Sequence, residues 1–312
     1  MRLLIAPFID FLHKIKAKMN DAKQIVNAKR VYQQGYFGEG VRIAVLDTGA
    51  CQHIELKNRI VYFRDLVHHK EYPYDDNGHG THVAGILCAT GRGNSMKLSG
   101  MAPKAELIIF KVLDSRGNGR TEDVIRALEW IKANYIRYRI RLINFSMGFL
   151  PNSGLNEQNE IMKFLEELWD LGVCVVTAAG NNGPGNYSVT VPGISKKVIT
   201  VGSCDDAKID NFLKRGYSGK GPTDCCIIKP EVLAPGTNIL SLNQMEGYTR
   251  KSGSSMATPI VCGALALCYD KNPNLTPSQL KLKLFDSCEK RQEKIYTQSW
   301  GLLNVDRLVE CV

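Results

Sequence analysis

A histidine flanked by glycines has little to contribute to a hydrophobic core, and the run Asp75-Asp-Asn-Gly-His-Gly-Thr-His-Val-Ala-Gly85 holds one, His79. Gly78 and Gly80 let other chain approach the ring closely, and imidazole titrates near neutral pH, so His79 suits proton transfer. Two chemistries compete for this run. His79 and His82 stand three apart, on one face of a helix. With Asp47 they could serve a metallohydrolase, although zinc wants a further ligand and no ligand motif follows. In the other chemistry His79 is a general base and His82 is structural, and the rest of the chain favours this one.

The companions are a serine, an asparagine and an aspartate. Lys251-Ser-Gly-Ser-Ser-Met-Ala-Thr-Pro-Ile-Val-Cys-Gly-Ala-Leu-Ala-Leu267 sets two serines at the mouth of an apolar helix. Ser255 has only Gly253, Ser254 and Ala257 crowding it, so its hydroxyl can protrude as a nucleophile where helix N–H groups favour developing negative charge. Pro259 has no N–H, which deprives the Ser255 carbonyl of its helical partner and loosens the first turn. The plainer alternative is an ordinary cap by Ser254. Acyl transfer also needs donors aimed at an oxyanion. Asn181, in Thr177-Ala-Ala-Gly-Asn-Asn-Gly-Pro-Gly185, is the candidate, with the Ser255 backbone N–H as second donor; a simple Asn-Asn-Gly turn is the alternative. Asp47 closes the run Val41-Arg-Ile-Ala-Val-Leu-Asp47 and either caps the Thr48-Gly49 turn or faces the site.

These residues need a scaffold that gathers them. Apolar, β-branched runs predict buried strands at 41–47, 107–113, 141–146, 173–179, 198–201 and 231–234. Amphipathic spacing predicts helices over 122–140 and 156–171, and a third helix follows the paired serines. Strands alternating with helices give an α/β fold, a mostly parallel sheet with helices on both faces. Sites in such folds collect outside the carboxyl ends of the strands, where Asp47 and Asn181 fall.

Bulk properties narrow the classes. The 312 residues suffice for one large domain, and 44% hydrophobic with 23% charged residues is ordinary globular composition. The net charge of +9 comes from scattered basic residues without any nucleic-acid-binding motif, so no nucleic-acid partner is expected. The apolar start, Met1 to Leu12, is broken by Pro7 and Asp10 and is too short to span a bilayer, so no membrane association is expected. Several of the 10 cysteines lie inside apolar segments and no C-x-x-C occurs; free thiols in a reducing cytoplasm are the expectation.

Taken together, the motifs resemble those of the subtilisin-like serine proteases, the subtilases. Val45-Leu-Asp-Thr-Gly49 is similar to their Asp motif and Asn77-Gly-His-Gly-Thr-His-Val-Ala-Gly85 to their His motif. Ala178-Ala-Gly-Asn181 resembles their oxyanion motif and Gly253-Ser-Ser-Met-Ala-Thr-Pro259 their Ser motif, all in the family's order over roughly residues 35 to 285. Segments such as Lys229-Pro-Glu-Val-Leu-Ala-Pro-Gly236 are similar to the intracellular AprX-like branch.

The resemblance implies a three-layer subtilisin-like α/β fold, with residues 1–34 as an N-terminal extension and 35–312 as the peptidase domain. It implies a serine endopeptidase working through an acyl-enzyme, with Ser255 as nucleophile, His79 as acid–base and Asp47 holding the imidazole. Asn181 would sit in the oxyanion hole. An extended polypeptide substrate would lie between Gly117-Asn118-Gly119 and Ser146-Met147-Gly148, over an S1 pocket floored near Ala178 and Gly180. No cofactor is needed for catalysis. The loop Gly91 to Leu98, where many relatives bind calcium, has no carboxylate, so a structural calcium is only weakly provided for. Ser254 replaces the usual Thr, and Phe149 replaces a Gly at the S1 rim. Leu3-Leu-Ile-Ala-Pro-Phe8 resembles a segment that lies across the cleft in some intracellular relatives, which makes the chain's own N-terminus a candidate partner. The runner-up is a catalytically inactive peptide-binding pseudoprotease. Residues Lys281 to Lys294 read as a solvated helix of alternating charge.

Overall fold

Short apolar runs buried on both sides are the raw material of a parallel sheet covered by helices. In the computed structural model, which describes residues 18–92, 98–149, 155–206, 216–223, 226–290 and 299–312, such runs build an eight-stranded sheet. In chain order the elements are α1 (Lys18–Ile25), α2 (Lys29–Gln33), β1 (Arg42–Asp47), β2 (Ile60–Asp65), α3 (His79–Cys88), β3 (Glu106–Lys111) and α4 (Thr121–Asn134). Then follow β4 (Ile140–Phe145), α5 (Leu155–Asp170), β5 (Cys174–Ala178), β6 (Ile199–Ser203), β7 (Val232–Ala234), β8 (Ile239–Leu242), β9 (Tyr248–Lys251) and α6 (Ser254–Lys271). The chain closes with α7 (Pro277–Ser287), β10 (Gly301–Leu302) and α8 (Val305–Glu310).

The sheet order is β10-β7-β6-β5-β4-β1-β3-β2, with every neighbouring pair parallel. The central strands β1, β4 and β5 are almost wholly buried, and α6 is buried along nearly its whole length. Apart from it, β8 and β9 form an antiparallel hairpin. The expected strands and the α/β class therefore hold, with four added strands, β2, β8, β9 and the two-residue β10, at low-signal places. Strand β2 is an edge strand with half-exposed side chains, and the β8–β9 pair is only four residues a side.

Two expectations need correction. The helix expected over 122–140 stops at Asn134. The Asn134 side-chain amide donates to the Trp130 carbonyl, and Arg139, in the left-handed region at φ 51°, turns the chain into β4. The charged segment from Lys281 is also not simply solvated. Leu280 and Leu284 of α7 are fully buried, and the Lys281 ammonium is inserted against Glu231 at 2.9 Å and the carbonyls of Lys196, Lys197 and Val198 at 2.7, 3.0 and 3.1 Å. Residues 291–298 lie outside the described residues, as do 1–17, with the Leu3–Phe8 segment, and 93–97 of the Gly91–Leu98 loop. Within the stretch assigned to the extension, Ala22, Val26, Ala28 and Val31 are buried in the same core as the sheet.

Candidate active site

Because the strands are parallel, their carboxyl ends and the starts of the following helices share one side of the sheet. Asp47 is the last residue of β1 and His79 the first of α3, so both reach that side; Ser255, the second residue of α6, follows the β8–β9 hairpin and is fixed there by its bond to the Ser146 carbonyl just past β4.

Asp47 is buried, at 1% exposure, and its Oδ1 meets His79 Nδ1 at 2.7 Å while also accepting the Thr48 N–H at 2.7 Å. That contact fixes the proton of the ring on Nδ1 and leaves Nε2 as an acceptor. Gly80 is required for it: a Cβ there would collide with the Gly49 carbonyl and come within 3.1 Å of Asp47 Oδ1. Burial works against a charged His79 ring and is the largest single influence. The Asp47 charge and hydrogen bond, aided by Asp75 and opposed by Lys251, outweigh it and hold the pKa above the usual histidine value.

The loop carrying His79 is organised by Asp75. One of its oxygens accepts from Thr48 Oγ1 (2.9 Å), Asn77 N (3.0 Å) and Gly78 N (2.8 Å), and the other from Thr81 N and Oγ1 at 2.8 and 2.7 Å. Thr48 Oγ1 in turn accepts the Gly80 N–H at 2.9 Å, so the Asp47 and His79 segments are stitched together. His82 does not join them. Its Nε2 meets the carbonyls of Ile239 and Thr249 at 3.0 and 3.2 Å, anchoring the β8–β9 hairpin, and burial lowers its pKa to about 3. A neutral, fully buried ring already spent on two carbonyls is structural, as the base chemistry for His79 required. Among the described residues no group of three His, Cys, Asp or Glu side chains is placed to hold a metal. The Glu55 carboxylate accepts from Thr90 Oγ1 and Arg92 N at 2.7 and 3.1 Å, at the start of the Gly91–Leu98 loop.

Ser255 sits in the first turn of α6, with Gly253 at the cap position. Its Oγ donates to the Ser146 carbonyl at 2.9 Å; among the described residues this hydrogen bond, and none to His79, engages the hydroxyl. The Ser255 carbonyl, robbed of a helical donor by Pro259, receives the Ser146 hydroxyl at 3.3 Å instead. Asn181 is oriented by its neighbour in space, Ser254. The Ser254 N–H donates to Asn181 Oδ1 at 2.9 Å, which identifies that atom as the oxygen, and Ser254 Oγ lies 3.1 Å from both Asn181 Oδ1 and the Gly180 carbonyl. The Nδ2 amide is left on the free side, toward Gly253.

A pocket of about 230 Å³ opens beside Ser255 and Asn181, lined by Ser146, Met147, Gly148, Ala178 and Gly180. Gly117, Asn118 and Gly119 do not line it. They belong to a turn on the side of the His-bearing loop, where the Asn77 amide donates to the Ser115 carbonyl at 3.0 Å. Phe149 does not line the pocket either and pairs with Val191 through backbone bonds of 2.9 and 3.0 Å. Two pocket residues were not among the expected ones, Asn182, which directly follows Asn181, and Thr190. The Thr190 side chain is wedged where a Cβ on Gly148 or Gly180 would collide with it, and its Oγ1 is buried without a hydrogen-bond partner. Nothing in Ser188-Val-Thr-Val191 distinguishes it from a strand; only the fold-back after Asn181 brings it to the pocket.

Comparison with known proteins identifies the family. A family model described as "Subtilase family" matches residues 38–302. The chain is 38% identical over 308 residues to "Serine protease AprX" of Bacillus subtilis (strain 168), covering 90% of this chain and 69% of that protein. It is 33% identical over 285 residues to "Subtilisin DY" of Bacillus licheniformis, covering 90% and 95%. Among solved structures it is similar to a cold adapted subtilisin-like serine proteinase, with a TM-score of 0.72 at 29% identity over 87% of this chain and 90% of that one.

Proposed function

The chain belongs to the subtilase family and is a serine endopeptidase, and we propose that Asp47, His79 and Ser255 are its catalytic triad, with Asn181 in the oxyanion hole. The observation that carries the assignment is the 2.7 Å bond from Asp47 Oδ1 to His79 Nδ1, made beside a serine at a helix amino end. For the reaction, Ser255 turns about χ1 so that its hydroxyl leaves the Ser146 carbonyl and donates to His79 Nε2, a step this proposal requires. The serine then attacks the scissile carbonyl while His79 takes its proton. Asp47 stabilises the resulting imidazolium, and Asn181 Nδ2 with the Ser255 N–H receives the oxyanion. His79 returns the proton to the leaving amine, and water repeats the sequence on the acyl-enzyme. No cofactor enters.

The substrate is a polypeptide in extended form, with its P1 side chain in the Ser146–Gly148 and Ala178–Gly180 pocket and its other edge along Gly117-Asn118-Gly119. A fluorophosphonate probe tests the assignment. Labelling of Ser255 in the wild type, lost in Ser255→Ala and in wild type pretreated with a serine-directed inhibitor, is expected; labelling that survives Ser255→Ala would overturn it. An inactive peptide binder has no specific observation in its favour.

Three finer points belong to the same proposal. The cytoplasm is the working compartment, supported by the thiols of Cys88 and Cys174, which lie fully buried as small hydrophobes with burial pushing their pKa up to about 12. Among the described residues no helix is long and apolar enough to cross a membrane. Residues 1–34 act as an extension, the part from Ala22 docked on the core and the Leu3–Phe8 segment inhibiting the cleft; unchanged activity after deletion of residues 1–12 would refute the inhibitory role.

A further inference from the structure

Lys111 is the most buried charge near the site, at 0% exposure, and it stands on β3 directly across from Asp47 of β1. A buried ammonium has three N–H donors to satisfy and is costly to leave unpaired. Its three acceptors come from three different segments. They are the Thr48 carbonyl at 2.8 Å, immediately after Asp47; Asp76 Oδ1 at 2.7 Å, three residues before His79; and the Leu113 carbonyl at 2.8 Å, at the head of the turn that presents Gly117-Asn118-Gly119. No other described side chain joins these three loops, and each carries a different part of the proposed machinery. Backbone bonds tighten the same knot, with Val112 N and Leu113 N both donating to the Asp47 carbonyl at 3.0 and 3.3 Å.

We infer that Lys111 is a positioning residue for the triad: its ammonium, with Asp76 as the counter-charge, holds the Asp47, His79 and substrate-edge loops in register, so that the Asp47–His79 bond is set by a group that touches neither reactant. The inference rests on the triad assignment. It differs from a merely structural role in what it predicts for the site. Loss of the tie lengthens the Asp47–His79 contact, and an error of this kind in a catalytic group costs up to ~10²-fold in rate. The charged groups facing His79 are Asp47 from β1, Asp75 from its own loop and Lys251 from β9, with neutral His82 one turn along. Weakening the first leaves burial and Lys251 in command, and both lower the pKa of the ring.

The test is steady-state kinetics of Lys111→Met against pH on a peptide substrate, with the melting temperature recorded alongside. Expected are a kcat at least ~10-fold down, KM within about 2-fold of wild type, and an acid limb of kcat/KM displaced to lower pH. A folded Lys111→Met with wild-type kcat and an unmoved limb, whatever its melting temperature, overturns the inference. Should that variant not fold, Asp76→Asn decides in its place. It keeps an acceptor, removes the charge at a half-exposed position, and is expected to move the limb in the same direction by a smaller amount; no movement overturns the inference. Failure of the triad assignment has a separate signature, a wild type whose Ser255 is not labelled by the fluorophosphonate.

Discussion

Ser254→Ala isolates the contribution of carboxamide orientation to the oxyanion hole. In the wild type, Asn181 Oδ1 is held by the Ser254 N–H at 2.9 Å and by the Ser254 hydroxyl at 3.1 Å, and the hydroxyl is shared with the Gly180 carbonyl at the same distance. One proton serves two acceptors, so the side chain supplies part of one hydrogen bond to Asn181, and the backbone donor survives the substitution. A full neutral hydrogen bond contributes about 0.5–1.5 kcal/mol net. A shared one gives ~0.5–1 kcal/mol, which at ~1.4 kcal/mol per tenfold is roughly a 2–5-fold loss in kcat. KM should stay put, because the donor works on the oxyanion and not on the ground-state carbonyl. Asn181→Ala, which deletes the donor, should cost far more; the value for the corresponding residue of subtilisin is ~10²–10³. Ser254→Thr keeps the hydroxyl and should lie within about 2-fold of wild type. Hydrolysis of a chromogenic peptide by the four proteins decides it. A Ser254→Ala as slow as Asn181→Ala, or one with wild-type kcat, would show that the carboxamide is not held as described.

Three more outcomes follow from the same geometry. Asp47→Asn should lower kcat by about 10⁴-fold, as in Ser-His-Asp triads generally, and shift the acid limb of the pH–rate profile. Since the neutral ring is the base and Asp47 holds its pKa above the usual value, activity in the wild type is lost as pH falls through that raised pKa; without the carboxylate, burial and Lys251 move the limb to lower pH, and a stationary limb would contradict the assignment. Thr190→Gly should open the pocket between Gly148 and Gly180 and raise kcat/KM for bulky P1 residues relative to alanine by at least ~10-fold, read by peptide-library profiling. Lys281→Met should leave the Lys196 and Lys197 carbonyls without this donor, the Val198 carbonyl with Lys229 alone, and Glu231 with Lys229 and the Thr200 N–H, destabilising the chain by about 2–4 kcal/mol and lowering the melting temperature by roughly 4–8 °C, with activity of the folded protein unchanged.

What could be read from the chain alone was the chemistry that depends on short-range order. Asp47, His79, Asn181 and Ser255 each sit where a strand ends or a helix begins, and the glycines and alanines around them are local. The six buried strands announced themselves as runs of Val, Ile and Leu. Features that depend on a partner distant in sequence were not legible. Lys281 looks like one charge among many in a solvated helix, because its acceptors at Lys196, Lys197, Val198 and Glu231 are 50 to 85 positions away. Thr190 looks like a strand residue, since the glycines it wedges against include one 42 positions earlier. The helical spacing after Glu122 continued past Asn134 in apolar type, while the amide of Asn134 and the left-handed Arg139 ended the helix through backbone geometry that spacing does not encode. Strands β2 and β9 carried no buried run to signal them, and the buried run of β8 is only four residues long and broken by Ser241.

The position of Pro259 links these two kinds of information. Read locally, a proline four residues after a candidate nucleophile only weakens a helix. In the folded chain the cost is offset, because the Ser255 carbonyl left without a helical donor accepts the Ser146 hydroxyl, and the Ser255 hydroxyl donates to the Ser146 carbonyl. Ser146 is itself aligned by the Asn144 amide at 2.8 Å, just past the end of β4. Ser255, the proposed nucleophile, is therefore tied, backbone and side chain alike, to Ser146 just past the end of β4, and not to the interior of its own helix. A continuous helix would satisfy the same carbonyl internally and remove the reason for Ser255 and Ser146 to stay in contact. The helix defect is thus a means of registering α6 against β4, and it explains why a residue that breaks helices stands near the start of a helix buried along nearly its whole length.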